Sequence, residues 1–123
     1  MNPELLEKLT CFIQKYLPYE DNDLIKNYLN EHYRFHTIDY AINEVGDIIG
    51  LVRWNVSDDG TTGFILDLAI HKDWRNKGLG NHFIRNALKK FPNGKWLVFK
   101  RGRKSNSKER KILISEFLKH EKF

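Results

Sequence analysis

The chain has 123 residues, of which 41% are hydrophobic, and a mean hydropathy of −0.58. That size and composition predict one water-soluble globular domain with a real core, and no apolar run approaches the length of a membrane span. The formal charge of +5 is uneven: residues 1–69 carry 5 Lys/Arg against 12 Asp/Glu, residues 70–94 carry 6 against 1, and residues 95–123 carry 10 against 3. A basic second half suits a polyanionic partner, whether a phosphorylated small molecule or a nucleic acid.

The first predicted element is a helix from Pro3 to Leu17. Proline fits its first turn, and Leu5, Leu6, Leu9, Phe12, Ile13, Tyr16 and Leu17 form one apolar face. The start, Met1-Asn2-Pro3-Glu4, lacks a basic stretch and an apolar signal core, so a cytoplasmic protein is expected. Cys11 is alone, which excludes an internal disulfide and a cysteine metal site, and its place in this helix predicts a small core residue. Pro18 ends the helix. Asp21 or Asp23 then caps a second helix through Leu24, Ile25, Tyr28 and Leu29 to about Tyr33. Phe35 to Glu44 predicts a strand, Val45-Gly46-Asp47 a turn, and Ile48 to Val56 the returning strand. After the turn Ser57-Asp58-Asp59-Gly60 comes an apolar strand, Thr62 to Ile70.

His71-Lys72-Asp73-Trp74-Arg75-Asn76-Lys77-Gly78-Leu79-Gly80 leads from that strand into a helix over 79–90, with Leu79, Phe83, Ile84, Ala87 and Leu88 on one face. Phe91-Pro92-Asn93-Gly94 breaks the chain, Lys95 to Lys100 is a short strand, and Arg101-Gly102-Arg103-Lys104 is a basic loop. Ser105 to about His120 is read as a final helix. The order α-α-β-β-β-α-β-α predicts an α+β fold with a mixed sheet. No repeat, low-complexity segment or linker interrupts residues 1–123.

A strand feeding a helix through a loop with two glycines and positive charges aims unpaired amides at the helix N-terminus, where phosphate binds. A dinucleotide fingerprint would need a third glycine where Phe83 stands, and a P-loop would need Gly-Lys-Ser/Thr; neither is present. The remaining pattern, Arg75-x-x-Gly78-x-Gly80 after an apolar strand, resembles the acetyl-CoA loop of the GNAT N-acetyltransferases, with Lys72 where proline is common and Trp74 where tyrosine is common. The element order resembles the GNAT core as well. Relative to that family no strand precedes the first helix and no closing pair of strands follows the last, so a form truncated at both ends is expected. Its open sheet edge is either left short or completed by a second copy of the chain.

The resemblance implies acetyl-CoA as co-substrate. It places the pantetheine arm along the backbone of Leu68, Ala69 and Ile70. It places the pyrophosphate on the loop of Arg75, Asn76, Lys77, Gly78, Leu79, Gly80 and Asn81, and a contact to the arm at Asn106, which competes with a plain helix cap there. Lys108 or Arg110 could reach the 3′-phosphate, which competes with a plain solvated surface at each. The implied reaction moves an acetyl group to a primary amine. Its proton-handling candidates are Asp67 in the key strand and His71 at the strand exit, whose intrinsic pKa suits the task. Many relatives carry an acidic tyrosine in the last helix; here Phe117 sits closest to that position. The acidic first half favours a cationic acceptor, and the absent closing strands favour a protein or peptide amine. Two other readings stay open: a non-catalytic acyl-CoA-binding module, and a nucleic-acid-binding protein that uses the basic half.

Overall fold

The computed structural model describes residues 1–100 and 109–119. Helix α1 (Pro3–Tyr16) starts at Asn2, whose side chain accepts the N–H groups of Glu4 and Leu5. It stops at Leu17, which is extended at φ −126° and ψ 158°, as a residue before proline prefers. Helix α2 (Asn22–Arg34) is capped by Asp21, which accepts from the N–H groups of Asp23 and Leu24. There follow β1 (Ile38–Ile42), β2 (Ile48–Val56), β3 (Thr62–Ile70), a 3-10 turn over Lys72–Trp74, α3 (Leu79–Leu88), β4 (Trp96–Lys100), β5 (Glu109–Leu113) and α4 (Ile114–Lys119).

The strands form one sheet in the order β1-β2-β3-β4-β5. All neighbours are antiparallel except β3 and β4, which are parallel. Helices α1 and α2 cover one face, where Leu9, Phe12, Ile13, Ile25 and Leu29 pack on Leu51 and Ala69. Helix α3 covers the other face, where Phe83, Ile84, Ala87 and Leu88 pack on Val52, Trp54 and Leu97. Two close approaches set this second layer. A Cβ on Gly50 would lie 2.7 Å from the Phe83 ring, and one on Gly63 would lie 2.3 Å from the Phe91 ring. Glycine at these sites lets α3 and the segment after it sit against the strand backbone.

The mixed α+β sheet is as expected, with two corrections. Residues 109–113, expected in a helix from Ser105 to His120, form a strand that extends the sheet beyond β4, and only 114–119 are helical. The reason is pairing. Trp96 to Lys100 offers a free edge, and Leu113 to Glu109 fills it antiparallel, with Ile112 turned to the core and Lys111 laid over the Trp96 ring. Cys11 is exposed rather than a core residue. The stripe Leu9, Phe12 and Ile13 faces the sheet, and Cys11 falls on the opposite side of that stripe.

Gly63→Ala is expected to lower unfolding stability by about 1–3 kcal/mol, because the Phe91 ring must move off the strand. Urea denaturation checks it; a midpoint equal to the wild type would show that the contact is not a constraint.

Candidate functional site

Strands β3 and β4 share only three register pairs, Thr62 with Trp96, Gly63 with Leu97 and Phe64 with Val98. Beyond Phe64 the two strands part. At the same point β3 carries a bulge against β2: Arg53 faces Asp67 while Trp54 faces Ile65, so Leu66 is the extra residue, and it is exposed. The His71 N–H bonds to the Ile49 carbonyl. By antiparallel alternation, the polar backbone groups of Ala69 and Asp67 then turn towards β2, whereas those of Leu68 and Ile70 turn towards the gap. Of the three backbone positions expected along the arm, Leu68 and Ile70 face the gap and Ala69 does not. The Ile70 carbonyl already accepts from Arg75 Nε at 3.1 Å, so Arg75 ties the loop back to the strand end.

The loop closes the wide end of this gap. Asn76 and Gly78 both have positive φ, 62° and 83°. Gly78 is the α3 N-cap and offers no side chain, so the amides of Leu79, Gly80 and Asn81 emerge without a cap, and the first helical bond runs from the His82 N–H to the Gly78 carbonyl. The two glycines have different reasons. Gly78 needs its left-handed backbone. A Cβ on Gly80 would meet only Leu68 Cδ2 at 3.6 Å, an ordinary contact, so nothing within the fold demands glycine there. Lys77 Nζ lies 5.2 Å from the centre of the Trp74 ring, and Trp74 is 37% exposed. An exposed pair of this kind holds by only about 0.5–1 kcal/mol.

On the α1/α2 face the candidate Asp67 is buried, and both its oxygens are engaged. Tyr19, from the α1–α2 connection, donates its hydroxyl at 2.9 Å, and Arg53 Nε donates at 2.7 Å. Arg53 Nη1 lies 3.1 Å from His32 Nε2, and His32 Nδ1 lies 2.6 Å from Thr37 Oγ1. An arginine can only donate, so His32 Nε2 accepts and its proton sits on Nδ1. Burial, and then the Arg53 charge, hold the His32 pKa below its usual value. The Arg53 guanidinium also lies 4.3 Å from the centre of the Tyr28 ring. Burial and the Asp67 charge raise the Tyr19 pKa and raise that of Tyr28 strongly, so both phenols keep their protons at neutral pH. His71 caps the 3-10 turn: its Nδ1 accepts the Asp73 N–H at 3.1 Å, and its ring packs on Tyr16. In the neutral ring the proton is therefore on Nε2.

The structure thus gathers Arg75 through Asn81 at one end of the gap, sets Leu68 and Ile70 along it, and places Asp67 on the face away from α3. Asn106, Lys108 and the loop 101–104 lie outside the described residues. Arg110 is on β5. Tyr19, Tyr28, His32 and Arg53 were not legible as site residues, because separate elements bring them to Asp67. Among the described residues no cluster of His, Cys, Asp or Glu could hold a metal ion, and no helix is long and apolar enough to cross a membrane.

Residues 3–101 match the model of the acetyltransferase (GNAT) family. No curated protein sequence matches the chain. Among solved structures, an aminoglycoside 6′-N-acetyltransferase complexed with coenzyme A superposes with a TM-score of 0.65 at 15% identity, over 80% of this chain and 56% of that one. The diaminobutyrate acetyltransferase of Paenibacillus lautus, in complex with L-2,4-diaminobutyric acid and coenzyme A, gives 0.63 at 17% identity, over 79% and 60%. A GNAT-family acetyltransferase of Staphylococcus aureus gives 0.62 at 19% identity, over 81% and 70%. The chain spans a little over half the length of the first of these.

The His32 environment makes a pH prediction. A pKa held below the unfolded value means that the unfolded chain binds the proton first. The stabilisation is full above the unfolded pKa of about 6.5 and is lost as pH falls through the folded value. Thermal midpoints from pH 7.5 to 5 should fall, and His32→Gln should flatten that part of the decline. An equally steep decline in the variant would remove His32 as the cause.

Proposed function

Because the chain belongs to the GNAT acetyltransferase family, we propose that it transfers an acetyl group from acetyl-CoA to a primary amine. The observation that carries the reading is the parting of β3 and β4 after Phe64, with uncapped α3 amides at its wide end. The residues fit an acyl-CoA. The amides of Asn76 through Asn81 face an anion with the α3 dipole behind them, and Lys77 adds charge. Gly80 leaves room that its own fold does not need. The backbone groups of Leu68 and the Ile70 amide pair with an amide-bearing arm as a neighbouring strand would. Acetyl-CoA supplies an acyl carbon already activated as a thioester; the chain supplies position, amide donors and a path for the proton.

That path is narrow in this reading. Asp67 has one oxygen held by Arg53 and the other by Tyr19, so a proton leaving the amine reaches Asp67 through the Tyr19 hydroxyl. The proton moves from amine nitrogen to Tyr19 oxygen as the Tyr19 proton passes to Asp67, which avoids a phenolate that burial disfavours. His71 offers Nε2–H at the strand exit as a donor. The acceptor we favour is a cationic amine, supported by the acidic first half of the chain, and we propose that a protein or peptide carries it. A homodimer completed along the outer edge of β1 is proposed with it; a monomer mass in solution would remove that part.

The second reading, a non-catalytic acyl-CoA-binding module, is favoured by one observation: the engaged state of Asp67. Free-thiol release from acetyl-CoA, with polyamines and lysine peptides as acceptors, separates the two. Tyr19→Phe keeps the Arg53–Asp67 pair and removes the relay. It is expected to lower kcat at least about tenfold with KM for acetyl-CoA unchanged; an unchanged kcat would remove the relay.

Gly80→Leu is expected to weaken coenzyme A binding by about a hundredfold or more in calorimetry, with the far-UV spectrum of the variant checking that it is folded. Retained affinity would show that the diphosphate does not lie on the α3 terminus.

A further inference from the structure

We infer that Trp74 is the platform on which the adenine ring of the acyl-CoA stacks, and that Lys77 leaves the indole for a phosphate when the base arrives. The inference rests on the proposed place of the diphosphate at residues 76–81 and asks what lies beyond it. The pantetheine arm runs inward from the loop, along Leu68 and Ile70. The nucleotide must therefore leave the diphosphate on the other side, over the outer surface of the loop. Trp74 ends the 3-10 turn two residues before Asn76, and its ring is exposed. Lys77 Nζ lies 5.2 Å from the centre of that ring, so the indole and the loop that would hold the diphosphate share one exposed surface.

The other two tryptophans are excluded by position. Trp54 is 2% exposed under α3. Trp96 begins β4 and pairs with Thr62, at the end of β3 opposite the loop. A base offers a flat π-face that matches an indole, whereas the ammonium of Lys77 makes only an exposed, hydrated contact with it, so the base displaces the ammonium. The freed Lys77 then meets the phosphate charge that arrives with the same ligand.

Calorimetry of two ligands on the whole chain tests this: coenzyme A, which carries the adenosine, and 4′-phosphopantetheine, which lacks it. Trp74→Ala should weaken coenzyme A about tenfold and leave 4′-phosphopantetheine within about twofold, and Trp74→Phe should restore most of the loss. An unchanged coenzyme A affinity in Trp74→Ala would overturn the inference. So would an equal loss for both ligands, which would make Trp74 a support for the loop alone. A wild-type chain that binds neither ligand would overturn the diphosphate site itself, and the stacking inference with it.

Discussion

Three register pairs join β3 to β4, and then the pairing ends. Everything proposed for this chain depends on that short ladder. A central strand pair that continued to Ile70 would use the backbone groups of Leu68 and Ile70 internally and leave nothing for a ligand. Two features fit the parting to its place. The Phe91 ring sits against Gly63 and fixes the closed end, and the bulge at Leu66 adds twist to β3 just past the last shared pair. The loop Arg75 to Asn81 then brings free amides to the open end, with Arg75 anchored on the Ile70 carbonyl. The proposed cofactor site is thus made mostly of backbone, and side chains set the backbone's path.

The opposite face is organised by charge. Arg53 and Asp67 stand directly across β2 and β3, with side chains 13% and 4% exposed. A buried pair contributes little beyond a hydrophobic replacement, but losing one partner strands the other at about 3–5 kcal/mol. Here the pair also collects neighbours. It draws Tyr19 from the α1–α2 connection, His32 from α2 and Thr37 from just before β1 into one chain of hydrogen bonds. The connection between the first two helices is thereby held against the strand that borders the gap, through the Tyr19 hydroxyl that donates to Asp67.

Much of this is legible in the sequence because its signals are local. The bounds of β2 and β3, the Asp21 cap and the Arg75-x-x-Gly78-x-Gly80 loop depend on neighbours within a few residues, so spacing suffices to find them. Where the outcome depends on partners distant in sequence, spacing does not reach it. Leu113 and Phe117 stand at helical i,i+4 spacing, and only Ile112 falls off that stripe, so the local pattern reads as helix. The place of Ile112 and Leu113 in a strand makes sense only once β4 supplies an edge. Cys11 lies inside a correctly expected helix but off its buried stripe. The Asp67 partners come from separate elements, and no spacing rule links Tyr19, His32 and Arg53 to position 67.

The two glycines of the loop belong to one motif and differ in kind. Gly78 is required by its own backbone, whereas Gly80 has room for a Cβ within the fold. That contrast supports the proposed ligand site at the α3 terminus, because the fold itself gives no reason for glycine at position 80. Amide hydrogen exchange with and without coenzyme A is the most direct measurement of this claim. Exchange should slow at Leu68, at Ile70 and across Asn76 to Asn81, with the Ala69 amide, already turned towards β2, unchanged. Saturating coenzyme A that leaves those amides at their free rates, or protects a different surface instead, would contradict it.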